Sequence, residues 1–194
     1  MPRPESLVDL CLGAINDVKQ LKRLARFEAI RDRMFHVFDD YMQELVLGEV
    51  KLWYYNGNIF QHTHHRKGKL HGECRSWYRD GTLHEVAYNR KGKLHGRYSS
   101  WHKNGAPKTV AYYRRGERHG TYHKWFEDGT LCSIAEYRYG KMHGEFKEWW
   151  PDGSLGSILQ YKYGKQHGEC IYWHNDGRVH VHMLCENKKI IVEF

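Results

Sequence analysis

The chain has 194 residues, a net charge of +8 and an aromatic share of 14%, with 19 glycines and only four prolines. This composition argues against a disordered chain and favours strands joined by tight turns. The charge is uneven, because residues 1–46 carry a net −1 and the remaining residues carry a net +9.

The sequence also carries signals about cellular compartment. Five cysteines, an odd number without any C-x-x-C pair, argue against a disulfide framework and a zinc knuckle. No signal-peptide pattern opens the sequence, and no apolar run reaches the roughly 18 residues of a membrane-spanning helix. We therefore expect an intracellular, cytoplasmic location, with a place at the membrane periphery as one form of it.

Residues 1–46 show helical periodicity. The first apolar stripe holds Leu7, Cys11, Ala14, Val18, Leu21 and Ala25, and the second holds Phe27, Ile30, Met34, Phe38, Tyr41 and Leu45. The stripes predict two helices or one kinked helix. Three roles remain open for this N-terminal segment: a cap over the first edge of a sheet, a docking or degenerate F-box-like adaptor, and a helical pair that forms a homodimer.

Residues 47–187 consist of one 24-residue unit repeated six times without insertion or deletion. The first glycine column, preceded by histidine in five copies, holds Gly48, His71-Gly72, His95-Gly96, His119-Gly120, His143-Gly144 and His167-Gly168. The tryptophan column holds Trp53, Trp77, Trp101, Trp125, Trp149 and Trp173. The second glycine column holds Gly57, Gly81, Gly105, Gly129, Gly153 and Gly177, and a third holds Gly68, Gly92, Gly116, Gly140 and Gly164.

Each unit contains two turn signals. The second glycine follows Asp or Asn, a pair typical of two-residue type I′ hairpins, in which both central residues have positive φ. The third glycine predicts the opposite turn, which returns the chain to the next copy. Each copy then supplies two short strands, one from about the His-Gly pair to the tryptophan and one from about the following leucine to a tyrosine.

Stacked hairpins predict a mainly β fold, an elongated single-layer antiparallel β-meander or solenoid of six hairpin repeats, with an N-terminal α-helical segment. Six copies give roughly twelve strands, or about 60 Å of sheet at ~4.8 Å per strand. Residues 188–194, which lack the third glycine, are expected to form a closing strand that caps the stack.

The histidine and tryptophan columns are expected to be structural. Equivalent residues lie two strands apart, ~10 Å, whereas zinc ligands must each lie ~2.0–2.1 Å from one ion. The column therefore predicts no metal site, although copy 1 carries an additional histidine-rich stretch, His62, His64 and His65. We expect the histidine to flank a turn and to pack beside an aromatic ring of the next repeat, and the tryptophan to cover its neighbours.

The unit G-x-x-H-G-x-Y-x-x-W-x-x-D/N-G-x-L resembles the MORN-repeat variant family, which occurs in bacteria and in large DNA viruses. The resemblance covers residues 47–187, and an N-terminal helical extension would suit a viral member. It implies an extended sheet of hairpins with roles in binding, scaffolding or membrane-adjacent organisation, and it implies no catalytic residues. Copy 1 departs from it with Leu47-Gly48, and copy 3 departs with Pro107.

No phosphate-binding loop, nucleophile elbow or paired-carboxylate motif appears in the sequence. We therefore predict a protein that is not an enzyme and needs no cofactor, and that acts as a scaffold for protein–protein interaction. The alternative is binding of an anionic surface, acidic phospholipid before nucleic acid, by the basic repeat region. The candidate contacts for that alternative are Arg66, Lys67, Arg90, Lys91, Arg114 and Arg115.

Overall fold

The computed structural model describes residues 48–54 and 56–185, together with the backbone of residues 189–193. The chain divides into two units, Met1–Leu45 and Val46–Phe194. The helices predicted for residues 1–46, and the cap, adaptor and dimer roles attached to them, lie outside the described residues.

The described strands form one antiparallel sheet in which every strand pairs with its neighbour in sequence. The strands are β1 (Glu49–Trp53), β2 (Ile59–Arg66), β3 (Lys69–Trp77), β4 (Leu83–Arg90), β5 (Lys93–Trp101), β6 (Pro107–Arg114), β7 (Glu117–Trp125), β8 (Leu131–Arg138), β9 (Lys141–Trp149), β10 (Leu155–Lys162), β11 (Lys165–Trp173), β12 (Val179–Leu184) and β13 (Lys189–Glu193). The mainly β meander of hairpins is thus confirmed. Within the described ranges no helix has the length and apolarity needed to cross a membrane.

The two turn classes exchange the roles assigned to them from the sequence. Both central residues have positive φ in the turns of the third glycine column, for example 53° at Lys67 and 68° at Gly68. In the Asp-Gly turns only the glycine has positive φ. The type I′ prediction for the Asp/Asn-Gly pairs is therefore wrong, and the two-residue turns lie at the opposite ends of the strands.

The Asp-Gly turns are instead three-residue loops, built from a type I turn and a left-handed glycine. The amide of Gly81 donates to the carbonyl of Tyr78 (2.9 Å), and the amide of Tyr78 donates to the carbonyl of Thr82 (2.8 Å). The Asp80 carboxylate accepts from the amide of Thr82 at 2.9 Å. This Asx hydrogen bond holds the aspartate side chain over the turn, which explains why Asp or Asn recurs there without positive φ.

The His-Gly pairs lie inside strands rather than beside turns. Strand β3 begins at Lys69, two residues before His71, and its pairing with β2 shifts register between Thr63 and His65. Gly72, at φ 94°, lies within this bulge. The expected turn-flanking step is therefore a β-bulge, for which a left-handed glycine is well suited.

One row of paired residues runs across a face of the sheet and alternates large with small side chains. We call it the large-and-small row. Tyr98 pairs with Ala87 on one side and with Ala111 on the other, and Tyr122 pairs with Ala111 and Ala135. The three alanines are at most 3% exposed. Because a single-layer sheet has no second layer to cover it, each ring supplies the burial that an opposing sheet would give.

Stabilisation of this row extends to a second set of rings. Tyr98 contacts Tyr113 and Tyr122 contacts Tyr137, both edge-on with centroids 5.9 Å apart. The guanidinium of Arg118 lies 4.9 Å from the centre of the Tyr122 ring and 5.2 Å from that of Tyr137. The central copies therefore carry an aromatic and cationic cover on one face of the sheet.

A disulfide bond joins Cys170 on β11 to Cys185, which follows β12. The sequence analysis did not predict it, because the cysteine count pointed away from paired cysteines. Cys74 and Cys132 are free thiols and are buried.

Candidate interaction surfaces at the two ends of the strands

The turns of the third glycine column all lie at the same ends of the strands, which we call the basic end. It comprises residues 66–69, 90–93, 114–117, 138–141 and 162–165. Each of its turns places a non-glycine residue in the left-handed region. These residues are Lys67, Lys91, Arg115, Tyr139 and Tyr163, with φ between 52° and 57°.

The left-handed residues are costly choices for their positions. Left-handed backbone costs an L-residue about 1–2 kcal/mol, which glycine avoids. Local strain that the rest of the structure maintains is concentrated at functional sites in proteins. The basic and tyrosine side chains of these turns are therefore candidates for a functional surface.

Adjacent turns of the basic end enclose two clefts. One, of about 510 Å³, is lined by Arg66, Lys67, Lys69, His71 and Lys91. The next, of about 380 Å³, is lined by Arg90, Lys91, Lys93, His95 and Arg115. Every described lining residue can carry positive charge, so the clefts favour anionic groups.

The structure brings together five of the six basic residues singled out from the sequence. Arg66, Lys67 and Lys91 line the first cleft, and Arg90 and Arg115 join Lys91 at the second. Arg114 lies on β6 and lines neither cleft. Within residues 48–54 and 56–185 none of the six forms an ion pair, and all six are exposed.

Two of the later turns of the basic end present tyrosines instead of cations. Tyr139 is 60% exposed and Tyr163 is 61% exposed. Their rings contact the histidine column, with centroids 5.7 Å apart for His119 and Tyr139 and 5.3 Å apart for His143 and Tyr163. In these two copies the histidine packs beside a turn tyrosine of its own copy, and not beside an aromatic ring of the next repeat as expected.

The opposite ends of the strands, which carry the Asp/Asn-Gly turns, form the aromatic end. We define it as the tryptophan column and the turn residues 54, 56–58, 78–82, 102–106, 126–130, 150–154 and 174–178. In copies 1 and 2 the residue after the tryptophan hydrogen-bonds to the next copy. The Tyr54 hydroxyl donates to the carbonyl of Trp77 (2.9 Å), and the Tyr78 hydroxyl donates to that of Trp101 (2.9 Å).

Contacts between two side chains of the same copy shape parts of the aromatic end. The side chain after the tryptophan contacts the one six residues later, with ring centroids 5.1 Å apart for Tyr54 and Phe60 and 4.6 Å apart for Tyr78 and His84. In copy 5 the first position is the larger Trp150, and the second is Gly156. A Cβ built on Gly156 would lie 3.2 Å from the Trp150 Nε1 and 3.3 Å from the carbonyl oxygen of Glu148.

A groove of about 650 Å³ lies over the last three copies of the aromatic end. Its aromatic wall consists of Phe126, Trp149, Trp150, Tyr172 and Trp173. Lys124, Glu148, His174 and His180 also line it and supply polar groups. Aromatic side chains of this kind are the residues that most often anchor protein interfaces.

The groove was not predicted from the sequence, in which the tryptophan column was interpreted as cover and the column beside it carried no expectation. The sequence does contain one indication of the groove. In copy 5 alone, the residue after the tryptophan is Trp150 and the residue six positions later is Gly156. The tryptophans themselves lie at strand ends, where Trp53 is 55% exposed and the other five are half-buried.

The Tyr98 hydroxyl lies in an environment that favours its protonated form. Burial and the negative charge of Glu85, to which the hydroxyl donates at 2.9 Å, raise the pKa of Tyr98 to about 12. The bond connects the large-and-small row to the adjacent row of the same face and explains why the ring stays fixed above its alanines.

Comparison with known proteins identifies the type of repeat. Residues 70–89 and 142–163 match the family model described as MORN repeat variant. Each match lies within a hairpin of the sheet, and the columns carry the same pattern through the other copies. The chain is thus similar to MORN-variant repeats over these two stretches.

Other comparisons add little. A structure of an S. aureus TarM mutant in complex with Fondaparinux, alpha-GlcNAc-glycerol and UDP shares 10% identity over 68% of this chain, with a TM-score of 0.33. A second structure, of TarM, shares 12% identity over 90% of this chain, with a TM-score of 0.28. The chain spans 23% and 26% of the two TarM chains. No curated protein matches the chain.

Proposed function

We propose that this chain of MORN-variant repeats is a non-enzymatic scaffold that binds a protein partner in the groove of the aromatic end. The observation that supports the proposal most directly is the wall of five aromatic side chains, with Trp150 accommodated by Gly156. Three tryptophans in one open groove can bury a large apolar area at little cost in side-chain entropy.

The partner that fits is an extended segment with apolar or aromatic side chains. The groove is open along the ends of adjacent strands, so a chain can lie across several copies. Lys124 supplies a positive charge and Glu148 a negative charge to the lining of the groove, and both can orient polar groups of the partner. The affinity for a protein partner bound in this way should fall only slightly as salt is added, because most of the buried surface is apolar.

Affinity capture with full-length protein tests this proposal. Trp150→Ala and Phe126→Ala should remove the captured partner, whereas the matched variant Tyr78→Ala, at the same position of copy 2, should retain it. A second capture with residues 1–46 deleted separates the groove from the N-terminal segment. Equal loss in the Tyr78 variant, or loss only on deletion of the N-terminal segment, would contradict the assignment.

A second candidate function, binding of an anionic surface by the basic end, has a specific observation in its favour. The left-handed turn positions hold Lys67, Lys91 and Arg115, although glycine would be less strained there. The two clefts place these charges beside one another without an acidic residue among the described linings. Acidic phospholipid fits better than nucleic acid, because exposed tyrosines continue the same line, as at membrane interfaces. This reading would place the chain inside the cell at the membrane periphery.

Vesicle sedimentation tests the second candidate. Vesicles that contain phosphatidylserine should bind the chain at low salt and release it at moderate salt, whereas neutral vesicles should not bind it. Charge reversal at Arg66, Lys67, Arg90, Lys91, Arg114 and Arg115 should abolish binding. Binding to duplex DNA with equal loss in the same variant would instead assign nucleic acid as the ligand. Salt-independent binding to both kinds of vesicle would contradict the electrostatic reading.

A further inference from the structure

Three metal-binding side chains meet in the first hairpin, on the face opposite to the large-and-small row. Glu49 on β1 pairs directly with His64 on β2, and Lys51 pairs with His62. Since residues i and i+2 of a strand share a face, Glu49, His62 and His64 project from the same side. One ligand atom from each of the three lies within 4.8 Å of the others.

The cluster is organised by a neighbouring backbone group. The Nδ1 of His64 lies 2.6 Å from the carbonyl oxygen of Glu73, so Nδ1 carries the proton and Nε2 is the free acceptor. Metal-ligating histidines usually donate their second nitrogen to a carbonyl or carboxylate in this manner. The Nε2 of His62 is buried and lies 2.6 Å from the Oε1 of Glu49.

We propose that Glu49, His62 and His64 bind a divalent first-row transition metal, with Zn²⁺ as the principal candidate. Two imidazoles and one carboxylate form a ligand set that suits zinc, with a fourth position left to solvent. Ligands at ~2.0–2.1 Å from a tetrahedral ion are separated by a little over 3 Å. The carboxylate and the His62 ring need to separate only slightly to admit the ion.

Lys51 is the group that competes with the metal. Its Nζ lies 2.8 Å from the same carboxylate oxygen, with the two side chains 43% and 47% exposed. An exposed ion pair of this kind contributes little, so a divalent ion can replace the ammonium at low cost. Removal of Lys51 should therefore increase zinc affinity.

The consequence of binding is a tie between an edge strand and its neighbour. Strand β1 has five residues and pairs only with β2 among the described strands. A metal held by Glu49 and the two histidines cross-links β1 to β2 across the pair, which should slow the opening of this edge. Residues of the histidine column lie two strands, ~10 Å, apart and cannot share one ion. The ligands here lie on adjacent strands, which are only ~4.8 Å apart.

Calorimetric titration of zinc chloride into chelator-treated, full-length protein tests the site. The His62→Ala/His64→Ala variant should lose more than about 100-fold in affinity for one zinc, since even losing a second-shell partner costs about 10–100-fold. Glu49→Gln should also weaken that binding, and Lys51→Ala should bind at least as tightly as the wild type. The matched control His71→Ala/His95→Ala removes two histidines that line the clefts beside the basic end and should leave the affinity unchanged.

A measurement on the unmodified protein avoids dependence on the folding of variants. Zinc should shift the imidazole NMR signals of His62 and His64, and leave those of His71 and His95 in place. Hydrogen exchange of the β1 and β2 amides should slow on zinc addition. The proposal is overturned if zinc shifts neither imidazole, if the double variant keeps wild-type affinity, or if the control loses affinity equally.

Discussion

The strained turns of the basic end allow stability and binding to be changed in opposite directions. The perturbation is the triple replacement Lys67→Gly, Lys91→Gly and Arg115→Gly, each at φ between 53° and 57°. Relief of the left-handed strain is worth about 1–2 kcal/mol per turn, and the extra freedom of glycine in the unfolded chain costs about 0.4–1 kcal/mol. The net gain is about 0.5–1 kcal/mol per turn.

The gains should add approximately, because neighbouring turns of the basic end lie two strands, ~10 Å, apart. We expect the free energy of unfolding to rise by about 1.5–3 kcal/mol and the Tm by about 3–12 °C. Affinity for phosphatidylserine vesicles should fall about 100-fold, since each basic residue near an anionic membrane contributes about 1 kcal/mol. Differential scanning calorimetry and vesicle sedimentation measure the two effects on the same samples.

A matched pair of turns separates strain from charge. Tyr139→Gly and Tyr163→Gly relieve the same backbone conformation without removing a cation. This variant should gain less stability per turn, because it also loses the ring contacts of Tyr139 with His119 and of Tyr163 with His143, and it should lose less vesicle affinity than the triple variant. Unchanged or lowered Tm in both variants would refute the strain argument. Raised Tm with unchanged vesicle binding in the triple variant would show that these cations do not contact the anionic surface.

Three further predictions concern the sheet and the groove. Tyr98→Phe should lower the unfolding free energy at neutral pH by about 1–2 kcal/mol, because Glu85 loses its hydroxyl donor. Since the folded pKa of Tyr98 is raised to about 12, its contribution is complete below about pH 10 and is lost as pH rises through 12, so the difference between wild type and variant in denaturant titrations should shrink over that window. A constant difference up to pH 12 would contradict this assignment. Gly156→Ala should cost about 1 kcal/mol and weaken partner capture, because the new methyl group displaces the Trp150 indole; Ser157→Ala, which removes a buried hydroxyl without a partner, is the control and should not destabilise the chain. Ala111→Leu should lower the unfolding free energy by about 1–3 kcal/mol, since Ala111 is 1% exposed between Tyr98 and Tyr122, and a wild-type urea midpoint in this variant would show that the row is loosely packed.

Much of the fold could be predicted because each 24-residue copy contains both of its own turns. The glycine columns set the number and order of strands, and the Trp77 type of position marks where the first strand of each hairpin ends. The assignment of turn type failed at Asp80-Gly81. Asp-Gly is compatible with both a two-residue hairpin and a three-residue loop, and only the Asx hydrogen bond to the amide of Thr82 selects the second.

The functional surfaces were harder to predict, because they depend on register. Lys67 and Lys91 were recognisable from the sequence as basic turn residues, but their left-handed backbone was not. Glu49 and His64 are fifteen residues apart in the chain, and only the pairing of β1 with β2 places them opposite one another. A one-residue shift of that pairing would have put the two side chains on opposite faces.

The alternating row of tyrosine and alanine also determines how the length of the sheet can be changed. Ala87 on β4 pairs with Tyr98, and Ala111 on β6 pairs with Tyr122. The row therefore makes the same alanine–tyrosine contact at both junctions between copies. Removal of residues 93–116 would bring Ala87 against Tyr122 and shorten the sheet by ~10 Å while leaving both types of turn intact. The separation between the first hairpin and the groove of the last copies can therefore be set in whole 24-residue units, with the tyrosine–alanine contact kept at each new junction.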